Sequence, residues 1–80
     1  MMRATVSKQI ISFTYYVEGV YRKTQDIEIQ EEDTISDVMN KVGMPMSSLY
    51  IFFVNRKLVH ANSLLKHGDV VKVIPALAGG

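Results

Sequence analysis

The spacing of apolar residues changes period along the chain, and each period predicts an element. From Lys8 to Val17 the residues Ile11, Phe13, Tyr15 and Val17 recur at every second position, so they share one face of a strand. Glu18-Gly19 interrupts the run, and Gly19 can supply the positive φ that a tight hairpin turn requires. Tyr21 to Gln30 then predicts a second strand, with Ile27 and Ile29 inward and Asp26, Glu28 and Gln30 toward water. The period next becomes helical: Ile35, Val38, Met39 and Val42 fall at i, i+3, i+4 and i+7. Thr34 and Asp37 have the spacing of a capping box, Gly43 suits a left-handed C-terminal residue, and Pro45 forbids continuation.

Leu49 to Asn55 is apolar on both faces, a pattern that predicts an interior strand with parallel neighbours or cover on both sides. Asn55-Arg56 reads as a turn into a short edge strand, Lys57-Leu58-Val59, and His60 to Lys66 as an irregular return carrying Leu64 and Leu65. Gly68-Asp69 is a turn into the last strand, Val70 to Ile74, which Pro75 ends because it cannot donate to a ladder. The order β-β-α-β-β-β predicts an α+β chain of the β-grasp type. One helix packs across a mixed sheet of four to five strands, with the final strand central. The second face of that sheet is left open, where partners could bind. Residues 1–75 form the expected body and residues 76–80 a flexible tail.

Composition narrows the chemistry. Eighty residues make one domain with one small core, which excludes a deep cleft between domains. At 48% hydrophobic and 21% charged the chain is too apolar for disorder. The apolar run Leu49 to Val54 falls far short of the roughly 20 residues of a membrane span. Arg3 and Lys8 precede no apolar block of signal-peptide type, so a cytoplasmic protein is expected. There is no cysteine, and His60 and His67 stand in no metal-ligand or acid–base spacing, so no metal or bound cofactor is expected. The net charge of +1 is too small for a general nucleic-acid footprint. Six acids, Asp26, Glu28, Glu31, Glu32, Asp33 and Asp37, lie within twelve residues, while Arg56, Lys57, Lys66 and Lys72 follow Asn55 against Asp69 alone. One acidic and one basic face are expected. No catalytic constellation is present, which argues against an enzyme.

The chemistry that remains is at the end of the chain. Counted from Pro75, the tail reaches about 20 Å when fully extended. Gly79-Gly80 can enter a narrow channel without Cβ collisions. Such a tail would deliver one group, the Gly80 carboxylate, into another protein's active site. A carboxylate oxygen becomes a leaving group when it attacks the α-phosphate of ATP, a reaction that needs a phosphate-binding loop and magnesium. This chain has no such loop, so the activating enzyme must be a separate protein.

Val54-Asn55, followed by Leu65-Lys66-His67-Gly68-Asp69-Val70-Val71-Lys72-Val73-Ile74-Pro75-Ala76-Leu77-Ala78-Gly79-Gly80, resembles the MoaD/ThiS family of ubiquitin-like sulfur carriers. The shared pattern is a strand ending in Asn, a Leu-x-x-Gly-Asp-x-Val turn and strand, and a small-residue tail ending in Gly-Gly. The resemblance implies that a ubiquitin-activating-type enzyme adenylates the terminus with ATP and Mg²⁺, and that persulfide sulfur then displaces AMP to leave a thiocarboxylate. It further implies that Gly80 carries the sulfur, that Gly79 and Ala78 thread the channel, and that Leu77 and Pro75 pack near its mouth. The Ile74-Pro75 step and the Ala78-Gly79-Gly80 end are closest to the MoaD branch, which serves molybdopterin synthesis. The short Tyr16–Val20 connection is closer to ThiS, which serves thiazole formation for thiamine, or to small archaeal protein modifiers. A sulfur-accepting synthase subunit or a target protein is the implied second partner, with tRNA thiolation a further destination for the sulfur. Conjugation through Gly80 to target lysines is an alternative, and an interaction domain with an inert tail is another. Phe52, on the face opposite Ile51 and Phe53, is a candidate partner-binding residue because aromatic side chains are enriched in interface cores.

Overall fold

The computed structural model describes residues 8–17, 21–44 and 49–76. Its elements are β1 (Gln9–Val17), β2 (Tyr21–Ile29), α1 (Ile35–Val42), β3 (Tyr50–Val54), β4 (Lys57–Val59) and β5 (Val70–Pro75). They form one five-stranded sheet in the order β2-β1-β5-β3-β4. β1 and β5 run parallel, and the other neighbours are antiparallel. The last strand is therefore the central one, as the element order predicts. The turn at Glu18-Gly19 and the break at Pro45 lie outside the described residues.

Alternation along the strands decides which side chains meet the helix. Ile11, Phe13 and Tyr15 of β1, Ile29 of β2, and Val71 and Val73 of β5 are buried with Ile35, Val38 and Met39 of α1. Met44 and Leu65 complete this core, and Ile27, Val42, Tyr50, Phe52, Val54 and Val59 pack half-buried around it. Phe13 and Tyr15 add a tilted ring pair with centroids 5.4 Å apart.

The helix is short, and its ends are fully specified. Thr34 Oγ1 accepts from the Asp37 backbone N–H at 3.3 Å, and Asp37 Oδ2 accepts from the Thr34 N–H at 2.8 Å, closing the capping box. Two further N–H groups of the first turn are satisfied by the return loop: Ile35 donates to the Ser63 carbonyl and Ser36 to the Ala61 carbonyl. Gly43 ends the helix at φ 79°, with Gly43 and Met44 N–H groups donating to the Asn40 and Met39 carbonyls. The irregular segment after His60 thus has a definite task, closing the start of α1.

One expectation is corrected. β3 has an antiparallel neighbour on each side, β4 and β5, and Ile51 on its second face is 38% exposed. Its apolar character on both faces therefore comes neither from parallel pairing nor from cover by a second layer. One face packs on the core and the other is apolar while open.

Candidate functional site

The face of the sheet turned away from α1 can be built row by row from the strand register. Thr24 pairs with Thr14, Thr14 with Lys72, Lys72 with Phe53, and Phe53 with Leu58. These five side chains form one line across all five strands. Beside it lie Arg22 opposite Tyr16, and Ile74 opposite Ile51. The face consequently has two halves. Over β3, β4 and the end of β5 it is apolar, with Leu58 70% exposed, Ile51 38% exposed, and Phe53 and Ile74 half-buried. Over β2, β1 and the middle of β5 it is polar: a shallow open depression is lined by Thr14, Tyr16, Arg22, Thr24, Lys72 and Ile74, and the acids Asp26 and Glu28 follow on the outward side of β2.

Phe52 does not belong to this face. Register pairs it with Val73, a fully buried residue, and it packs half-buried against the core beside Tyr50. The aromatic residue of β3 that β-sheet alternation presents outward is Phe53. A sequence signal for this existed. Lys72 alternates with Val71 and Val73, so the face of Lys72 is the outer one, and the strand that pairs with it inherits that orientation. The pairing itself joins segments distant in sequence, and so Phe53, Leu58 and the Thr14–Thr24–Arg22–Lys72 group escaped notice.

The base of the tail is anchored on the same sheet. Pro75 is the last residue of β5, half-buried and opposite Tyr50, and the Ala76 N–H donates to the Leu49 carbonyl at 3.0 Å. The β3–β5 ladder thus runs one residue past the proline. Leu77, Ala78, Gly79 and Gly80 lie outside the described residues.

The motif residues upstream of the tail form a lock that fixes β5. Asn55, at φ 53°, donates from Nδ2 to Asp69 Oδ1 at 3.0 Å and accepts the Val70 N–H on Oδ1 at 3.0 Å. Asp69 is buried, and its Oδ2 accepts the Lys66 N–H at 2.9 Å. Gly68 adopts φ 89°, which an L side chain rarely does, and its N–H donates to the Ile10 carbonyl. The Ile10 N–H in turn donates to His67 Nδ1 at 3.0 Å, and the Ser12 N–H donates to the Asp69 carbonyl. Asn55, Gly68 and Asp69 therefore hold the start of the central strand between β1 and the β3–β4 turn, as their turn chemistry predicts.

Two of the six acids of the acidic segment, Asp33 and Asp37, hold structure. Asp33 accepts the Gln30 N–H and the Lys41 ammonium at 2.8 Å each. These bonds, first the backbone donor and then the cation, hold its carboxyl below the usual aspartate range. Asp37 closes the capping box, while Asp26 and Glu28 face outward on β2. No group of three or more His, Asp or Glu side chains suited to a metal ion occurs among the described residues. Among them, too, no helix is long and apolar enough to cross a membrane.

A five-stranded mixed sheet with a parallel β1–β5 centre and one helix across a single face defines a ubiquitin-like β-grasp domain. Comparison with protein-family models matches the ThiS family over residues 13–80, and the chain belongs to that family of small ubiquitin-like sulfur carriers, which are carriers rather than catalysts. No curated protein sequence matches the chain.

Proposed function

We propose that this chain carries sulfur on its C-terminal glycine. A ubiquitin-activating-type enzyme adenylates the Gly80 carboxylate with ATP and Mg²⁺: a carboxylate oxygen attacks the α-phosphorus, and diphosphate leaves. A persulfide sulfur then attacks the acyl carbon, AMP leaves, and reduction of the resulting acyl disulfide by a thiol releases the thiocarboxylate. The thiocarboxylate is anionic and nucleophilic near neutral pH, and it donates sulfur to a synthase subunit in molybdopterin or thiazole formation or in tRNA thiolation. Ala78 and Gly79 thread the activating enzyme's channel, and Leu77 and Pro75 pack near its mouth. The body docks through the open face, with Phe53, Ile51, Leu58 and Ile74 as its apolar contact.

Membership of the ThiS family over residues 13–80 is the observation that carries this reading. The Ala76–Leu49 hydrogen bond supports it, because it roots the following residues on the central strand beside the apolar half of the face. Incubation with the adenylating enzyme of the same organism, ATP, Mg²⁺ and a persulfide source tests it by intact mass. The expected result is the mass gain of one oxygen exchanged for one sulfur, located in the C-terminal peptide. An unchanged mass, with the enzyme active on its other substrates, would refute it.

A further inference from the structure

The polar half of the open face holds a depression that the apolar docking contact touches only at Ile74. Its floor is made of the short hydroxyl side chains Thr14 and Thr24, whose oxygens lie 2.9 Å apart, and Thr14 is only 9% exposed. The rest of its lining is longer: Lys72 stands beside Thr14 in the same row, and Arg22 and Tyr16 form the next row, with Ile74 two residues beyond Lys72. Arg22 and Lys72 stand two strands and two residues apart, so their backbones are separated by about 10 Å across the sheet and about 7 Å along it. Both side chains line the depression. In the Thr14–Thr24 pair one hydroxyl donates to the other, which leaves one O–H free to donate outward.

Two cations beside one depression repel each other unless an anion lies between them. Among the described residues neither makes an ion pair, since the pair formed there joins Lys41, in the last turn of α1, to Asp33, which precedes the helix. Of the outward acids of β2, Asp26 is the next residue after Thr24 on this face, on the side away from Arg22, and Glu28 lies one step farther, opposite Ile10. Arg22, Lys72, a free hydroxyl and the Tyr16 phenol together suit an oxyanion. The site is too open to enclose a small ion, since small-molecule sites bury most of their ligand's surface. The anion must therefore arrive on a larger body, and the depression adjoins the apolar patch through Ile74 and Lys72.

We infer that the depression receives an Asp or Glu side chain from the protein that docks on the open face. The fitting partner presents one carboxylate beside an apolar patch. The inference rests on the docking proposed above and names the partner's chemistry. Arg22 and Lys72 set the on-rate and register of the encounter, and the apolar half sets residence time.

The test is titration of the adenylating enzyme with the full-length chain at several ionic strengths, alongside the Arg22→Gln/Lys72→Gln double variant and Phe53→Ala. Both substituted cations are exposed, so the double variant should keep its fold, checked by its melting curve. The double variant is expected to bind about tenfold or more weakly at low salt and to show a flattened salt dependence. Phe53→Ala is expected to weaken binding while keeping the full salt dependence. If the wild type binds and is activated but the double variant matches it at every ionic strength, the inference fails and the sulfur-carrier reading stands. If the wild type neither binds nor gains sulfur, both fail. Chemical-shift changes at Thr14 and Thr24 on adding millimolar inorganic phosphate alone would also overturn the inference, because the site would then hold a free anion.

Discussion

Asn55→Ala should cost this small domain a large share of its stability, and the cost separates into parts. Asn55 tolerates its left-handed backbone at φ 53° better than alanine does, a difference of about 1 kcal/mol. Its side chain makes two bonds, one to the buried Asp69 carboxylate and one from the Val70 N–H. Removing the first leaves a buried charged oxygen short of a donor, and removing the second frees an exposed N–H that water can reach, together about 2 kcal/mol. The sum, about 3 kcal/mol, compares with a total of about 4–12 kcal/mol for a chain of this length. At about 5 °C per kcal/mol the melting temperature should fall by about 15 °C. Asn55→Gly keeps the left-handed backbone and loses only the bonds, so it should fall by about 10 °C. Urea unfolding followed by circular dichroism checks both, with m unchanged. Equal losses for Ala and Gly would refute the backbone part, and losses under about 0.5 kcal/mol for both would refute the lock altogether. At a temperature where it is folded, Asn55→Gly should still take up sulfur at Gly80, because the lock positions β5 and touches nothing else.

Three further outcomes follow. Phe52→Ala should destabilise the fold by about 1–3 kcal/mol in denaturant titration, because Phe52 packs on the core, whereas Phe53→Ala, at a half-buried residue, should shift the midpoint less and should weaken docking; the reverse pattern would overturn the assignment of faces. Because folding holds the Asp33 carboxyl low, its contribution is complete above the unfolded aspartate range, about pH 4, and is lost as pH falls through the folded value. The stability gap between wild type and Asp33→Asn should therefore narrow under acid, and a gap constant from neutral pH to pH 2 would contradict the bond to Gln30 and Lys41. Deleting Gly80 should abolish the sulfur mass gain with the melting temperature nearly unchanged, whereas a large drop would show that the terminus is part of the folded body.

Local rules read the helix and most strands well because their causes lie within a few residues. Thr34, Asp37 and Gly43 each act on their own turn, and β1 declares its buried face through Ile11, Phe13 and Tyr15. The Asn55-Arg56 turn, with both residues at positive φ, was legible for the same reason. What escaped depends on non-local register. β3 looks the same whether its neighbours are parallel or antiparallel, and only its pairing with β5 shows that Phe53 rather than Phe52 faces outward. The basic depression draws Thr14, Thr24 and Lys72 from three strands, and no window along the chain brings those residues together. The return loop from Ala61 to Leu65 carries no period at all, and its purpose is visible only beside the start of α1.

The central place of β5 has a consequence for biosynthesis. Among the described residues the β1–β2 and β3–β4 hairpins share no ladder with each other and are joined in the sheet through β5. A chain made only as far as β4 would therefore lack the strand that closes the sheet between the two hairpins. Chains broken off before β5 would lack the keystone strand and could not assemble the sheet.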